Sequence, residues 1–332
     1  MSDVWGNNIK ITIFGESHGV AIGVVIDGLP HGVELDFDFI RAEMARRAPG
    51  NDAFSTPRKE ADEVEILSGV FEGKTTGAAL CGIIRNTNTR SKDYKPNLLR
   101  PGHADFTAFV KYDGFADYRG GGHFSGRLTA PLVFAGAIAK QILRGKNIEI
   151  TAKRLSPTDD QILAAKADGN SIGGTIECVI NGVPAGVGAP IFGSVESKIS
   201  AMLFSVPAVK AVEFGAGVKF AEMLGSEAND EFYIKNSQNK CDLNENKYEI
   251  NTKTNNNGGI NGGISNGMPI VFRATIKPTP SIGIEQNTVD VEKMENTTIK
   301  VEGRHDPCIV PRAVVVIEAA AAVCILDLLG GK

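Results

Sequence analysis

Histidine placement marks the parts of this sequence that could transfer protons near neutral pH. The chain of 332 residues contains five histidines, and four of them stand in short polar segments interrupted by glycine or proline: His18, His103, His123 and His305. Each segment connects predicted helices or strands, and loops between rigid elements are where catalytic and binding groups concentrate. One loop histidine by itself would indicate only a local hydrogen bond. Four such segments together indicate a functional site.

Arginine accompanies the histidines in three of these segments, as Arg100, Arg127 and Arg304. Its planar guanidinium group can hold a phosphate or a carboxylate through two hydrogen bonds. Residues 85–127 contain eight Lys or Arg and four Asp, although the whole chain has a net charge of -4. This excess of cations predicts a small polyanionic ligand, with a solvated basic face as the alternative. Aromatic residues do not interleave with the cations in the pattern typical of nucleic-acid binding.

Glycine-rich stretches provide backbone that could approach an anion closely. Of the 38 glycines, three form a run at residues 120–122 before a helical pattern. This run predicts a phosphate cradle at a helix N-terminus, with Ser125 as its cap or as a donor to phosphate. Residues 255–263 form a second such stretch, with a flexible hairpin as the alternative, and residues 277–281 (KPTPS) offer one cation and two hydroxyl groups. Residues 69–75 resemble a nucleotide P-loop but are one residue short.

Composition limits the classes of protein to be considered. Apolar residues make up 42% and charged residues 22% of the chain, which is typical of a globular protein, and the negative net charge disfavours a nucleic-acid binder. Five scattered cysteines without a C-x-x-C motif indicate reduced thiols and a cytoplasmic location. No signal peptide is expected, and Glu318 and Asp327 interrupt the most apolar run, so no membrane span is predicted.

Hydrophobic patterns place the polar segments between helices and strands. Two β-branched runs at 9–14 and 20–26 predict a strand–turn–strand unit around residues 15–19, and a strand over 268–276 precedes the KPTPS segment. The predicted helices cover residues 36–47, 128–143 and 313–329. Strands and helices alternate irregularly, and no G-x-G-x-x-G motif follows the first strand, which favours an α+β fold over a doubly wound sheet. We expect a single domain over residues 1–332, with a polar loop or flap at about 225–257.

Taken in order along the chain, the polar segments resemble the motifs of the chorismate synthase family. The matching stretches are GESHG at 15–19, RPGHAD at 100–105, DYRGGG at 117–122, NGGISNGMPI at 261–270, KPTPS at 277–281 and GRHDPCIVPRA at 303–313. Several such motifs in one order over nearly the whole chain make the resemblance specific.

The resemblance implies a fold, a reaction and partners. The fold is an α+β sandwich of antiparallel sheets and helices, not a Rossmann fold. The reaction is the 1,4-anti elimination of phosphate from 5-enolpyruvylshikimate 3-phosphate to give chorismate, the last step of the shikimate pathway, catalysed by a carbon–oxygen lyase. It requires reduced FMN without net redox change. A homotetramer is implied as well, and an external flavin reductant is expected because no reductase domain is evident in the sequence.

The resemblance also assigns residues to roles. His18 is similar to the acid near the departing phosphate, His103 to the histidine that stabilises the anionic reduced flavin, and Asp306 to the aspartate that helps to deprotonate flavin N5. The expected substrate contacts are Ser17, Arg47, Arg119 and Arg127. The expected FMN contacts are His123, Phe124, Ser125, Pro207, Ala208, Asn255, Gly262, Lys277, Pro278, Thr279, Pro280, Ser281 and Arg304.

The sequence departs from the family pattern in two places. Many relatives read GGGRSSAR where this chain reads GGGHFSGR, so His123 and Phe124 replace an arginine and a serine. Ala48 and Ala53 stand where many relatives have arginine. We expect the same reaction with an altered affinity for cofactor or substrate. The candidates for replacing a lost contact are Arg46, Arg58 and Lys59.

Two other functions are alternatives to the elimination of phosphate. One is a metal-dependent phosphohydrolase, in which His103, Asp105, His305 and Asp306 would supply mixed ligands. The other is an anion-binding module without turnover.

Overall fold

Two antiparallel sheets enclose the main helices of the molecule. The computed structural model describes residues 3–50, 62–87, 94–234, 250–301 and 306–330. The strands before residue 100 are β1 (Val4–Trp5), β2 (Lys10–Gly15), β3 (Ala21–Asp27), β4 (Val64–Ser68), β5 (Val70–Phe71), β6 (Lys74–Thr75) and β7 (Leu80–Arg85). The later strands are β8 (Glu149–Ser156), β9 (Gly174–Asn181), β10 (Val209–Phe214), β11 (Phe232–Ile234), β12 (Ile250–Thr252), β13 (Ile260–Asn261), β14 (Ile264–Ser265), β15 (Ile270–Ile276), β16 (Gln286–Asp290) and β17 (Glu295–Ile299).

The helices connect and separate these sheets. They are α1 (Phe37–Arg47), α2 (Asp105–Lys111), α3 (Thr129–Arg144), α4 (Asp159–Ala167), α5 (Val195–Ser205), α6 (Gly225–Ala228) and α7 (Val310–Leu328). Short 3-10 turns cover Arg119–Phe124, Gly126–Leu128, Ile191–Gly193 and Gly217–Glu222.

The first sheet has the order β1-β2-β3-β7-β4, with antiparallel neighbours throughout. Ile22, Val24 and Ile26 of β3 are buried, as β-branched residues at every second position should be when one face of a strand packs on the core. β2 pairs with β3 up to Gly15 and Ile22, so the intervening residues form a turn at the sheet edge. The predicted strand–turn–strand unit is thereby confirmed, and its turn carries His18.

The second sheet has the order β10-β15-β9-β8 and is also antiparallel. Along β15, Ile270, Phe272, Ala274 and Ile276 are buried, which shows the period of two expected for a strand with one face on the core. The strand ends directly before the KPTPS segment. The antiparallel pairing of both sheets confirms the α+β sandwich and is not the parallel arrangement of a Rossmann fold.

Helices α3 and α7 lie between the sheets, and α1 packs on both of them. α3 packs on β3 and on α7, and α7 packs on β8 and β9. A Cβ atom at Gly136 of α3 would lie 2.3 Å from the Cβ of Ala319 in α7, so only glycine allows the two helices to approach so closely. Both helices are buried over almost their full length, which confirms the apolar C-terminal helix predicted from the sequence.

Helix α1 begins and ends where its sequence predicts. The side chain of Asp36 accepts a hydrogen bond from the Phe39 amide and caps the N-terminus, while Arg46 and Arg47 occupy the last turn. Cations at this end interact favourably with the helix dipole. The consequence for the site is that Arg47 is carried on a capped helix rather than on a loop.

A group of buried charges joins the three central helices. Lys140 of α3 binds the carboxylates of Glu43 and Glu318, and Arg46 lies 2.7 Å from each of the same two carboxylates. Burial raises the pKa of Glu318, but the hydrogen bond from Arg46 and the charge of Lys140 outweigh it and hold this pKa below its usual range. Because both carboxylates pair with Lys140 and Arg46, the cluster fixes α1 against α3 and α7.

The polar excursion at 225–257 is described in part. Residues 225–234 contain α6 and β11, and β12 pairs with β11 in an antiparallel ribbon. The side chain of Asp230 accepts hydrogen bonds from the amides of Asn256 and Asn257 and so anchors the end of the excursion. No helix in the described part of the chain is long and apolar enough to cross a membrane.

Candidate active site

The loop between β2 and β3 holds His18 in a buried position beside the glycine run. His18 is 9% exposed, and the neighbouring Ser17 is 4% exposed. The Ser17 hydroxyl lies 3.0 Å from the Gly120 carbonyl oxygen and 3.2 Å from that of Arg119, to which it donates. The Ser17 amide donates to Gly122 at 3.1 Å. The GESHG motif is therefore held against the DYRGGG motif by hydrogen bonds to the backbone of residues 119–122.

His103 belongs to a second motif that folds onto itself. Its Nδ1 lies 2.6 Å from Asp105 Oδ1, and Arg100 binds the same carboxylate through two nitrogens at 2.8 Å each. Because a carboxylate only accepts hydrogen bonds, the short contact with Asp105 assigns a proton to Nδ1 of His103. Nε2 of His103 points away from Asp105, toward Gly121. Burial raises the pKa of Asp105, but the hydrogen bonds from His103 and Arg100 outweigh it and hold this pKa well below its usual range.

The glycine run brings the two histidines to adjacent backbone positions. A Cβ atom at Gly120 would lie 2.5 Å from His18 Nε2, and one at Gly121 would lie 3.3 Å from His103 Nε2. The φ angles of residues 120–122 are all positive, at 61°, 84° and 53°, a conformation that favours glycine. Both the close contact and the backbone conformation thus require glycine. The run acts here as a spacer between two imidazole rings.

Tyr94 completes this group, which we call the histidine cluster: His18, His103, Arg100, Asp105 and Tyr94. The Tyr94 ring meets the His18 ring edge to face at a centroid distance of 5.4 Å. The Arg100 guanidinium group lies 5.5 Å from the centre of the same tyrosine ring. Cation–π and aromatic contacts of this kind contribute about 0.5–1.5 kcal/mol each. Tyr94 therefore links the His18 loop to the Arg100 motif.

A cavity of about 640 Å³ opens beside the histidine cluster. This volume is within the range of small-molecule sites. Its wall combines polar groups with aromatic and aliphatic side chains that could face a flat ring. The lining includes Tyr94, Arg100, His103, Phe109, Tyr118 and Phe124.

A second group, the arginine cluster, consists of Arg47, Arg127, Asp62, Arg312 and Asp306. Asp62 is shared by two guanidinium groups, with Arg47 Nε at 2.8 Å and Arg127 Nη1 at 2.6 Å from its two oxygens. Burial lowers the pKa of Arg47 to about 10, while the charge of Asp62 opposes this effect. Arg47 is therefore still protonated at neutral pH. Arg312 donates to the Arg47 carbonyl at 2.9 Å and also binds Asp306.

Arg119 differs from the other two predicted substrate arginines because it is exposed. Its guanidinium group binds Asp117 through two nitrogens at 2.8 Å, and its side chain is 41% exposed. The hydrogen bond from Arg119 lowers the pKa of Asp117, and the nearby His18 contributes to the same effect. Arg119 thus lies at the surface near the His18 loop.

The residues that replace the usual arginine and serine have separate surroundings. His123 Nδ1 lies 2.8 Å from the Gly15 carbonyl oxygen, and its Nε2 lies 3.4 Å from Asp3. Phe124 is 37% exposed and lines the cavity. The Ser125 side chain accepts from the Arg127 amide and caps the Gly126–Leu128 turn, whereas α3 begins later, at Thr129. Ser125 is therefore a cap of this turn and not of the long helix.

The KPTPS segment lies next to the His103 motif. The ammonium group of Lys277 donates to the Gly102 carbonyl, and the Lys277 amide donates to Ala208 at 2.9 Å. Ala208 has a φ of 74° and follows Pro207 directly before β10. The structure thus brings residues 207–208, residues 277–281 and the His103 loop together.

Two of the remaining predicted cofactor residues lie at the other end of β15. Asn255 spans the turn there, accepting from the Gly259 amide at 2.7 Å and donating to the Pro269 carbonyl at 2.8 Å. Gly262 follows in the turn between β13 and β14. At about 3.3 Å per residue, β15 separates Pro269, which Asn255 contacts, from Lys277 by roughly 25 Å. Within one chain, Asn255 and Gly262 are therefore not brought to the KPTPS segment. Arg304 lies outside the described residues, as do His305, Ala53, Arg58 and Lys59.

Sequence reasoning did not single out Asp62, Asn86 or Tyr94. Asp62 and Asn86 have no histidine or glycine run beside them, and the partners of Asp62 are 15 and 65 residues away. Among the residues described, no group of three His, Cys, Asp or Glu is arranged to hold a metal ion. His103 and Asp105 instead bind each other and Arg100.

Comparison with known proteins connects this site to a family. The family model described as chorismate synthase matches residues 9–159 and 153–329. A chorismate synthase of Dehalococcoides mccartyi is 44% identical, with 99% of this chain and 96% of the relative covered. A chorismate synthase of Methanocaldococcus jannaschii gives the same three values. A crystal structure of chorismate synthase superimposes with a TM-score of 0.74 at 26% identity, covering 98% of this chain and 92% of that chain.

These matches support chorismate synthase function and do not favour a phosphohydrolase or a non-catalytic module. They extend over both sheets and over both clusters of the candidate site. The chain belongs to the chorismate synthase family of lyases.

Proposed function

We propose that this chain converts 5-enolpyruvylshikimate 3-phosphate into chorismate by 1,4-anti elimination of phosphate. The observation that carries this proposal is the placement of His18 and His103 against adjacent glycines, with His103 and Gly121 lining a cavity of about 640 Å³. A proton donor for a leaving phosphate and a second imidazole for a cofactor are both needed at one site. The buried arginine cluster supplies the cations that such a substrate requires.

His18 is proposed as the acid that assists the departing phosphate. Negative charge accumulates on the leaving oxygen as the carbon–oxygen bond breaks, and a positioned acid lowers the barrier by neutralising this charge. The tight contacts of His18 with Gly120 and Tyr94 restrict the directions in which its ring can turn. Ser17 is proposed as a neighbouring substrate contact.

Arg47, Arg119 and Arg127 are proposed to hold the phosphate and the two carboxylates of the substrate. A guanidinium group binds such anions through paired hydrogen bonds and remains charged when buried beside a carboxylate. Arg47 and Arg127 are oriented by Asp62, whereas Arg119 approaches from the surface. The first two would fix the substrate and the third would complete the site at its rim.

Reduced FMN is the proposed cofactor, and the residues present fit such a group. Phe109, Tyr118 and Phe124 line the cavity with aromatic surface. Thr279 Oγ1 is buried without a hydrogen-bond partner within the described part of the chain, as expected where a polar ligand group would complete it. When bound, the reduced flavin supplies electrons transiently to the elimination. The residues proposed to hold it are His123–Ser125, Pro207, Ala208, Lys277–Ser281 and Arg304, with Asn255 and Gly262 kept as predictions at the other end of β15.

His103 and Asp306 are proposed to control protons next to the cofactor. Asp105 keeps the proton of His103 on Nδ1, so Nε2 accepts a hydrogen bond when the ring is neutral and donates one when the ring is an imidazolium ion. Asp306 is held by Arg312, which fixes the direction of its carboxylate. In this assignment His103 stabilises negative charge and Asp306 accepts a proton.

Four further features belong to the same proposal. The buried core is continuous across both sheets, which supports a single catalytic domain. Cys81, Cys178, Cys308 and Cys324 are free thiols, in agreement with a cytoplasmic enzyme. A homotetramer and an external flavin reductant complete the proposal on the basis of the family.

An anaerobic assay tests the function directly. Purified protein, FMN reduced with dithionite and authentic substrate should release phosphate and chorismate in equal amounts, and oxidised FMN should support no turnover. Replacing dithionite by NAD(P)H tests the need for an external reductant, which predicts no turnover in that arm. Phosphate release that proceeds without flavin and stops with a chelator would show a phosphohydrolase instead.

A further inference from the structure

Hydrogen bonds connect the arginine cluster to the loop that carries His18, and we propose that Asp62 and Asn86 are the positioning residues of this connection. The inference rests on the proposed function, because it gives both residues a part in the same elimination. Asp62 fixes the two buried arginines relative to each other. Asn86 fixes this pair relative to the proposed acid.

Asp62 joins arginines that come from different parts of the chain. Arg47 ends α1 and Arg127 lies in the turn before α3, and each binds a different oxygen of the carboxylate. The side chain of Asp62 is 0% exposed, and those of Arg47 and Arg127 are 3% and 7% exposed. Two charge-assisted hydrogen bonds in a buried place leave the guanidinium groups little freedom to reorient.

The backbone of Asp62 supports the same interpretation. Its φ angle is 48°, in a region that few residues other than glycine adopt. A conformation of this kind persists where the surroundings determine it, and such positions are frequent at functional sites. Here the surroundings are the two guanidinium groups. The carboxylate is therefore held at one position between them.

Asn86 continues the connection from Arg127 to the His18 loop. Its Oδ1 accepts from Arg127 Nε at 2.8 Å, and its Nδ2 donates to the carbonyl oxygens of Glu16 at 3.0 Å and Gly19 at 2.9 Å. The amide thus uses its acceptor toward the arginine and its donors toward both ends of the loop. Asn86 directly follows β7, a rigid strand of the first sheet.

The elimination explains why such a connection would matter. The arginines must hold the substrate anions while the acid meets the leaving phosphate of the same molecule. A displacement of about 1 Å between two such groups can reduce the rate about 100-fold, because the reacting atoms are no longer aligned. A hydrogen-bonded path through Asp62, Arg127 and Asn86 fixes this distance before the substrate binds.

Two variants separate the two ends of the connection. Asn86→Asp keeps an oxygen acceptor for Arg127 but places a carboxylate against the carbonyls of Glu16 and Gly19, so the His18 loop is released. Asp62→Asn keeps an acceptor for one arginine and turns an amide group toward the other. The matched controls are Asn229→Asp, at an exposed asparagine, and Asp38→Asn, whose carboxylate forms an exposed pair with Arg41.

The measurements are kcat, KM for the substrate, the Kd of reduced FMN and Tm, all under anaerobic conditions. We expect Asn86→Asp to lower kcat about tenfold or more with KM within about threefold of the wild type, because the acid moves while the arginines stay. We expect Asp62→Asn to raise KM about tenfold or more and to lower kcat less. The Kd of reduced FMN should stay unchanged in both variants, and the controls should match the wild type.

A positioning role predicts that Asn86→Asp changes mainly kcat and that Asp62→Asn changes mainly KM. A purely structural role predicts no such difference between the two variants. A lower Tm with wild-type kcat and KM in the folded fraction would overturn the inference. Equal changes of kcat and of KM in the two variants would overturn it as well. If Asp62→Asn does not fold, Asn86→Asp decides, because it leaves the ion pairs of Asp62 in place. A wild-type protein that releases no phosphate contradicts the proposed function, whereas an active wild type with unaffected variants contradicts this inference alone.

Discussion

The histidine cluster and the arginine cluster fix charged side chains by different means. The side chains of Arg100, His103 and Asp105 retain 10–16% exposure beside the cavity, and all three come from one segment of six residues. In the arginine cluster, Arg47, Asp62 and Arg127 are 0–7% exposed and come from separate elements. Residues 100–105 of the histidine cluster are thus built by a local motif, whereas His18 joins them, and the arginine cluster forms, only through tertiary folding.

This difference indicates which changes affect stability and which affect the reaction alone. Removing one partner from a buried ion pair leaves the other charge without compensation in a place of low polarity, which costs several kcal/mol. In a partly solvated pair, water replaces much of the lost interaction. Changes in the arginine cluster should therefore reduce both stability and substrate binding. Changes in the histidine cluster should act mainly on turnover.

The largest effect is expected for Arg127→Ala. The change removes the ion pair with Asp62 and the hydrogen bond to Asn86 in a buried place. The free energy of unfolding should fall by about 3 kcal/mol, and KM for the substrate should rise. Denaturant unfolding and steady-state kinetics would measure the two effects. A stable variant with unchanged KM would show that the arginine cluster does not differ from the histidine cluster in its effect on stability.

The glycine spacer offers a sharper test of the histidine cluster. In Gly120→Ala the new methyl group would fall 2.5 Å from the His18 ring at a φ of 61°, so the imidazole must move. We expect turnover to fall about 100-fold, because the acid is displaced from the leaving group. Gly126→Ala is the matched control, since a Cβ there has no described atom within 4 Å. Equal activity of the two variants would contradict the spacer role.

The carboxylate of Asp105 makes the histidine cluster sensitive to acid. Its pKa is lowered in the folded protein, so its contribution to stability is fully present above the unfolded value of about 3.9 and is lost as the pH falls below it. At pH 7, Asp105→Asn should cost about 1–2 kcal/mol of unfolding free energy. The difference in stability between the wild type and the variant should shrink progressively as the pH falls below about 3.9. A difference that stays constant with pH would mean that the charge of Asp105 does not stabilise the fold.

The smallest effect is expected for Arg119→Ala. Arg119 is exposed and pairs with Asp117 at the surface, so Tm should stay unchanged. KM for the substrate should rise a few-fold, and the rise should shrink as ionic strength increases, because salt screens an exposed charge. Kinetics at low and high salt would measure this. A large loss of Tm would place Arg119 with the buried arginines.

Local elements of the fold could be predicted because short-range patterns determine them. The capped helix α1, the strand–turn–strand unit and the apolar helix α7 follow from side chains within a few residues of each other. The ordered motifs likewise identified the family. The sequence did not reveal that Ser125 caps a short turn. Apolar residues spaced three to four apart fit both a 3-10 turn and an α-helix, so this spacing cannot show where one ends and the other begins.

The sequence alone determined the family and predicted site residues for it, since histidine, arginine and glycine occur in motifs whose order is specific to one family. Only the tertiary structure decided how the motifs meet. It placed His18 and His103 on adjacent glycines, gave Arg47 and Arg127 one carboxylate, and connected them to the His18 loop through Asn86. The physical reason is that a buried charge must find its partner in space, and that partner can lie anywhere along the chain.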